Sequence, residues 1–121
     1  MVKNILVVDD SQAIRQSLGF VLKQVGYEVV LASDGLEATK LLEMADWDLV
    51  ISDLNMPQMD GIGLTRHIRQ SPRHKFTPIL ILTTESQLDM MQAGKAAGAT
   101  GWIVKPFVAD KLLEVVKKLS G

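Results

Sequence analysis

The sequence predicts an α/β fold: a doubly wound, five-stranded parallel sheet with helices on both faces. Two observations support this prediction. Five short runs rich in Val, Ile and Leu are continuous rather than alternating, which is typical of strands buried on both faces. Segments with apolar residues at helical spacing lie between these runs, so strand and helix alternate five times. Right-handed crossovers would then place helices on both faces of the sheet.

Each strand is predicted from one apolar run. The runs span residues 5–8, 29–32, 49–51, 79–82 and 102–104. None of them approaches the roughly 20 apolar residues that a membrane-spanning helix needs. We therefore expect no membrane insertion.

The helices are predicted from apolar spacing and from their end signals, over 11–25, 35–45, 61–70, 87–97 and 108–120. Ser11 is a suitable N-cap for the first helix, and Gly26 a suitable end. In the second helix, Asp34 and Glu37 have the spacing of a capping box. Gly98 ends the Ala-rich fourth helix.

Length and composition exclude several classes of protein. The 121 residues fit one domain, 1–121, and we expect no output domain beside it. The formal charge is −1 with no long Lys or Arg run, so no nucleic-acid binding is expected. The absence of cysteine excludes disulfides and thiolate chemistry. No signal peptide is visible near Met1, and we expect a cytoplasmic monomer.

Polar side chains follow four of the five predicted strands. Asp9-Asp10 follow the first strand, Asp53 the third, Thr83-Thr84 the fourth and Lys105 the fifth. Ligands of open α/β sheets bind beyond the carboxyl ends of the strands, which share one edge. A single aspartate at a strand end is usually a turn or cap residue. The joint arrangement instead indicates a functional acidic site.

Three clustered carboxylates repel each other, so such a site needs positive charge. Lys105 supplies one charge, and Mg²⁺, which accepts few protein oxygens and keeps several waters, suits the remainder. A carboxylate beside Mg²⁺ and an ammonium group is equipped for phosphoryl transfer.

These residues resemble the receiver domain of two-component response regulators, over the whole chain. The matching motifs are Asp9-Asp10, the segments 52–57 and 59–61, Thr83 and Lys105-Pro106-Phe107. The resemblance implies a flavodoxin-like, CheY-like sheet with strand order 2-1-3-4-5. It also implies a cis peptide between Lys105 and Pro106.

The resemblance assigns a role to each site residue. Asp53 is the phosphoacceptor, which takes its phosphoryl group from a histidine kinase. Asp9, Asp10, Asp53 and the backbone carbonyl of Asn55 bind Mg²⁺. Thr83 is the switch hydroxyl, and Lys105 pairs with the phosphoryl group. Asn55 and Glu85 flank the site and could tune slow autodephosphorylation. The resemblance thus implies a phosphoacceptor that dephosphorylates itself slowly, rather than an enzyme that turns over substrates.

The sequence is similar to the stand-alone chemotaxis type of receiver, which signals by binding a protein. The resemblance implies that the fourth helix, fifth strand and fifth helix form the binding face. On that face lie Met90, Met91, Lys95, Trp102, Leu113 and Lys118. The downstream target could be a flagellar motor component. A phosphate sink in a chemotaxis array and a non-flagellar pathway remain open alternatives.

Trp102 departs from the family pattern, in which the switch aromatic is commonly Tyr or Phe. An indole is larger, and its N–H needs a partner when it is buried. If the ring already faces inward, phosphorylation should change its fluorescence little. The two histidines, His67 and His74, are predicted to be surface residues.

Two other functions share part of this pattern. An aspartyl-phosphate phosphohydrolase usually carries D-x-D after its first strand and a cap module, whereas this chain has adjacent Asp9-Asp10 and little length to spare. A flavodoxin-like FMN carrier needs a hydroxyl- and glycine-rich phosphate loop at that place. Two aspartates there would repel the flavin phosphate.

Overall fold

A computed structural model describes residues 2–121, except for the side chains of residues 85, 86 and 88. The strands are β1 (Asn4–Val8), β2 (Glu28–Ala32), β3 (Leu49–Asp53), β4 (Ile79–Thr83) and β5 (Gly101–Val104). The helices are α1 (Gln12–Gln24), α2 (Gly35–Leu42), α3 (Gly61–Gln70), α4 (Met91–Ala97) and α5 (Ala109–Ser120). A 3-10 helix over Glu85–Met90 precedes α4.

The strands form one parallel sheet in the order β2-β1-β3-β4-β5, as predicted. Ile5 pairs with Leu49 across the centre of the sheet, and Val50 pairs with Ile79. The three central strands are buried almost throughout, because helices cover both of their faces. This burial explains why their sequences are continuous apolar runs.

Two apolar cores lie on opposite faces of the sheet. Leu6, Val8, Val50, Ile79 and Ile81 point to the face covered by α2, α3 and α4. Their neighbours along the strands point to the other face, where they pack on Leu18 and Leu22 of α1 and on Leu112 and Val116 of α5. Alternate residues of a strand thus serve opposite cores, as the strand period of two requires.

The helix starts follow the predicted capping signals. The Ser11 hydroxyl accepts a hydrogen bond from the Ile14 N–H at 3.3 Å. The Asp34 carboxylate accepts from the Glu37 N–H at 2.7 Å, and the Glu37 carboxylate in turn accepts from the Ser33 N–H at 3.0 Å. This second bond reaches one residue beyond the position of an ordinary capping box.

The fourth helix differs from its prediction. Its first part is the 3-10 helix, and only Met91–Ala97 is α-helical. No side chain caps the start of α4 at Met90, and Gly94 lowers the helix propensity of its middle. Tightening into 3-10 turns is common at such helix starts. The second helix is also shorter than predicted, since it ends at Leu42.

His74 corrects a second prediction. It was expected on the surface, but its side chain is buried and its Nε2 donates to the carbonyl oxygen of Leu42 at 2.7 Å. The loop after α3 therefore folds against the end of α2. Within the described chain, no helix combines the length and apolarity that crossing a bilayer would require.

Candidate functional site

The sheet register brings the predicted site residues to one edge. Asp53 pairs with Leu82, and Thr83 pairs with Val104, so these strands end side by side. The Lys105 N–H continues the ladder by donating to the Thr83 carbonyl at 2.6 Å. Residues from four separate parts of the sequence thus meet because parallel strands share their carboxyl edge.

Three carboxylates lie together at this edge. Asp9, Asp10 and Asp53 each offer an oxygen, and these oxygens are within 4.8 Å of one another. Asp9 and Asp53 are buried, whereas Asp10 is exposed. The cluster is therefore closed towards the sheet and open to solvent at Asp10.

Lys105 neutralises part of this charge. Its Nζ lies 2.9 Å from Asp53 Oδ1 and 3.5 Å from Asp9 Oδ2. Burial of the ammonium group opposes its charged form, but the hydrogen bond to Asp53 and the charges of Asp53 and Asp9 outweigh burial and raise the pKa of Lys105. The lysine is thus held as a cation between two carboxylates.

Asp53 has the opposite balance. Burial raises the pKa of its carboxyl group, and the negative charges of Asp9 and Asp10 raise it further, against the hydrogen bond from Lys105. The Leu54 N–H also donates to Oδ1, at 2.9 Å. Both donors act on Oδ1, so among the described residues Oδ2 is left without a hydrogen-bond donor.

The turn from β1 to α1 fixes Asp9. The Ser11 N–H donates to Asp9 Oδ1 at 2.9 Å, and Nη1 of Arg15 donates to the Asp9 backbone carbonyl at 2.6 Å. Sequence reasoning did not single out Arg15. The available signal was its position four residues after the Ser11 N-cap, which places both on one side of the helix.

Gly61 allows the loop after β3 to close on the site. Its N–H donates to the Leu54 carbonyl at 2.8 Å. A Cβ at this position would overlap the Asp53 carbonyl oxygen and lie 3.1 Å from Leu54 Cα. This close approach explains why a glycine directly follows Asp60, which caps α3. Asn55 is exposed on the same loop.

Thr83 is at the site edge, but its hydroxyl donates to groups other than Asp53. It donates to the Thr84 carbonyl at 3.2 Å and lies 3.4 Å from Oε1 of Gln87. The same Oε1 accepts from the Thr84 N–H at 3.0 Å. Thr83 is therefore bonded to the segment that leads into α4. Glu85, the other predicted tuning residue, has its side chain outside the described part.

Trp102 packs inward beneath α4. Its indole is half-buried against the core, and the benzo ring lies over Gly94. A Cβ at Gly94 would come within 2.7 Å of Cζ2 of that ring. The larger indole therefore fits because α4 has a glycine at the contact. The Lys105–Pro106 peptide is cis, as the resemblance implied.

The donor set suits a magnesium ion. All three ligands are carboxylate oxygens, and one of the three side chains is exposed, so waters can complete the coordination. The three side chains are thus close enough together for one ion to contact all of them.

Comparison with a family model gives a match to the response regulator receiver domain over residues 5–117. Chemotaxis protein CheY-3 of Vibrio cholerae is 38% identical over 95% of this chain and 89% of that protein. Chemotaxis protein CheY of Pseudomonas aeruginosa is 36% identical over 95% of this chain and 94% of its own length.

Solved structures show the same fold. Chemotaxis protein CheY4 of Vibrio cholerae superposes with a TM-score of 0.94 at 45% identity, covering 98% of this chain and 99% of that one. The receiver domain of sensor histidine kinase PA1611 from Pseudomonas aeruginosa has a TM-score of 0.92 at 27% identity, covering 100% and 99%. That structure has a magnesium ion coordinated in its active-site cleft.

Proposed function

Since this chain belongs to the response regulator receiver domain family, we propose that it is a phosphorylation-activated switch with Asp53 as its phosphoacceptor. One observation carries the proposal. The Asp53 carboxylate lies at the carboxyl edge of the sheet, bonded to Lys105 through Oδ1, next to two further carboxylates. The Vibrio and Pseudomonas relatives, which are chemotaxis proteins, favour a role in chemotaxis or motility.

The chemistry proposed for Asp53 is a phosphoryl transfer from a histidine kinase. A carboxylate oxygen forms the new P–O bond while the P–N bond to the donor imidazole breaks, and the imidazole nitrogen takes up a proton. Oδ2 is the attacking atom, because both donors already occupy Oδ1. Lys105 then stays beside the phosphoryl oxygens and offsets their charge.

Asp9 and Asp10 would hold Mg²⁺ together with Asp53 and the Asn55 backbone carbonyl. When bound, the ion supplies positive charge that stabilises the phosphoryl oxygens. The related PA1611 receiver, whose structure includes magnesium in the cleft, supports this assignment. Asp9 fits a supporting role, since one of its oxygens already accepts from Ser11.

We propose a phosphoacceptor that undergoes slow autodephosphorylation rather than an enzyme that turns over substrates. Water would attack the acyl phosphate in place, and Asn55 and Glu85 would tune the rate of that attack. If exchange of either residue left the phosphate half-life unchanged, its tuning role would be refuted. Multiple turnover on a phosphate monoester would instead support a phosphohydrolase.

The output surface would comprise α4, β5 and α5. Met90, Lys95 and Lys118 are exposed there, and Met91, Trp102 and Leu113 are half-buried. Beside them is a groove of about 310 Å³ that Val104, Val108 and Lys111 help to line. Val104 and Val108 are exposed apolar residues that sequence analysis did not select. Such a face suits a downstream protein with apolar and acidic side chains, for example a flagellar motor component.

Labelling with a small phosphodonor tests the phosphoacceptor assignment. The chain is incubated with acetyl phosphate and MgCl₂, and phosphate uptake is read from intact mass. We expect uptake by the unchanged chain and none by Asp53→Asn. Asp60→Asn is the matched control, because Asp60 is an exposed helix cap on the neighbouring loop and asparagine keeps the cap. Equal uptake by Asp53→Asn would refute the assignment.

A pulldown with phosphorylated chain and with Asp53→Asn tests the output. A protein retained only by the phosphorylated chain would support a switch that signals by binding. Phosphate uptake from the kinase without any phosphorylation-dependent partner would favour the phosphate-sink alternative.

A further inference from the structure

Arg15 fixes the one peptide group that joins two of the acidic residues. Its Nη1 donates to the Asp9 carbonyl oxygen at 2.6 Å, a short bond of the charge-assisted kind. That carbonyl belongs to the peptide between Asp9 and Asp10, and a peptide group is planar. The hydrogen bond from Arg15 therefore restrains the orientation of the backbone at Asp10, and with it the direction in which the Asp10 side chain extends.

The neighbouring groups of this turn are restrained as well. The Asp9 N–H donates to the Ala32 carbonyl at 3.1 Å, which ties the turn to β2. The Ser11 N–H donates to the Asp9 carboxylate at 2.9 Å. Arg15 completes this set from the first turns of α1. Asp10 is thus an exposed residue on a backbone that is held on both sides.

We propose that Arg15 is a positioning residue for the magnesium site. It holds the Asp9–Asp10 peptide so that both carboxylates are already directed towards the position of the ion before the ion binds. The inference rests on the proposed function, because it assumes that the acidic cluster binds Mg²⁺. The three carboxylates repel one another, and Asp10 is the one whose side chain is exposed and has room to move away from the other two. A fixed peptide keeps it from turning away into solvent.

The sign of the effect separates this role from simple electrostatics. A cation near a metal site repels the metal, so removing the Arg15 charge without any other change would tighten Mg²⁺ binding. Loss of a positioning contact would weaken binding. Outer contacts of this kind contribute about 10-fold or more to metal affinity.

The test is a titration of metal-free protein with MgCl₂, followed by the amide resonances of Asp10 and Ser11. We expect the dissociation constant of Arg15→Gln to be about 10-fold higher than that of the unchanged chain. Arg15→Lys, which keeps a charged donor, should fall between the two. Lys23→Gln is the charge-matched control, since it removes one positive charge from the far end of α1.

A second readout uses the phosphorylation rate at increasing MgCl₂. The Mg²⁺ concentration for half-maximal rate should rise in Arg15→Gln, while the rate at saturating Mg²⁺ stays close to normal. Equal or tighter Mg²⁺ binding by Arg15→Gln would overturn the proposal and leave the proposed function intact. Failure of the unchanged chain to bind Mg²⁺ would overturn both.

Discussion

Asp53 combines low exposure with unfavourable charge, and the two effects act in the same direction. Burial and the carboxylates of Asp9 and Asp10 favour its protonated form, whereas Lys105 and the Leu54 N–H stabilise the ionised carboxylate. The result is a carboxyl group whose raised pKa makes it a better nucleophile once it is ionised. The hydrogen bond and the charge of Lys105 favour the ionised form of Asp53 and so limit the rise of its pKa.

The raised pKa of Asp53 leads to a pH-dependent effect on stability. The folded pKa lies above the unfolded value, so the stabilisation from protonated Asp53 is present at low pH and is lost as the pH rises through the folded pKa. Asp53→Asn should therefore raise Tm at pH 7 relative to the unchanged chain, because the amide carries no charge at the buried position. Near pH 3.5 the difference should disappear.

Thermal unfolding without Mg²⁺ at the two pH values checks this prediction. Asp46→Asn is a control of opposite sign, because the hydrogen bond and charge of Arg73 lower the pKa of Asp46. That variant should not gain stability at pH 7. A lower Tm for Asp53→Asn at pH 7 would mean that the Lys105 pair outweighs burial and repulsion.

Gly94 and Trp102 form a contact that depends on both residue sizes. Alanine normally stabilises a helix by about 1 kcal/mol relative to glycine. In Gly94→Ala, however, the new methyl group would overlap the indole, and overpacking costs about 1–3 kcal/mol. We expect a lower free energy of unfolding for Gly94→Ala in chemical denaturation. In a Trp102→Phe background the same change should be neutral or stabilising, and an equal loss in both backgrounds would contradict the contact.

At the scale of elements, α4 is held differently at its two ends. Its start is a 3-10 helix joined to Thr83 and Thr84 through Gln87, and its middle rests on Trp102. Its end is tied to α3, because Nε of Arg69 donates to the Gly98 carbonyl at 3.0 Å. A change at Thr83 would therefore act first on the start of the element.

The inward position of Trp102 leads to a prediction for phosphorylation. Because the ring already packs against the core beneath α4, the modification should change Trp102 emission little. Trp47, which is buried elsewhere, contributes a constant background that a Trp47→Phe variant removes. Emission is recorded before and after addition of phosphodonor and MgCl₂. A large shift would show that the indole moves between two positions.

Arg69 links three segments through neutral oxygens. Besides Gly98, it donates to the Thr77 carbonyl at 2.7 Å and to the Lys75 carbonyl at 3.2 Å. Hydrogen bonds from charged groups contribute about 1.5–3 kcal/mol each. Arg69→Ala should lower the free energy of unfolding by about 2–4 kcal/mol in urea, since removal leaves several acceptors without a donor. Arg66→Ala, exposed on the same helix, should change it by less than about 0.5 kcal/mol.

The elements show what sequence could predict. The strands and α1, α3 and α5 were predicted to within a few residues, because burial imposes a pattern on each of them. The 3-10 start of α4 was missed, since it depends on a missing cap and on contacts with Thr83 and Thr84. Buried His74 was missed because its partner, a backbone carbonyl of α2, is 32 residues away and has no sequence signal.

At the scale of the whole molecule, topology assembles the site. Lys105 and Asp9 are 96 residues apart in sequence and lie 3.5 Å apart at the sheet edge. Parallel strands must share that edge, so the acidic cluster could be predicted from where polar residues follow apolar runs. The contact of Arg15 with the Asp9 carbonyl could not, because no pattern specifies which backbone group a side chain will reach.

We propose that Asp53, rather than either neighbouring aspartate, receives the phosphoryl group. The most direct test is peptide mass spectrometry after treatment with acetyl phosphate and MgCl₂, with reduction of the acyl phosphate to mark its position. We expect modification of the peptide that contains Asp53, at that residue and with no label on Asp9 or Asp10. A mark on Asp9 or Asp10, with Asp53 unmodified, would contradict it.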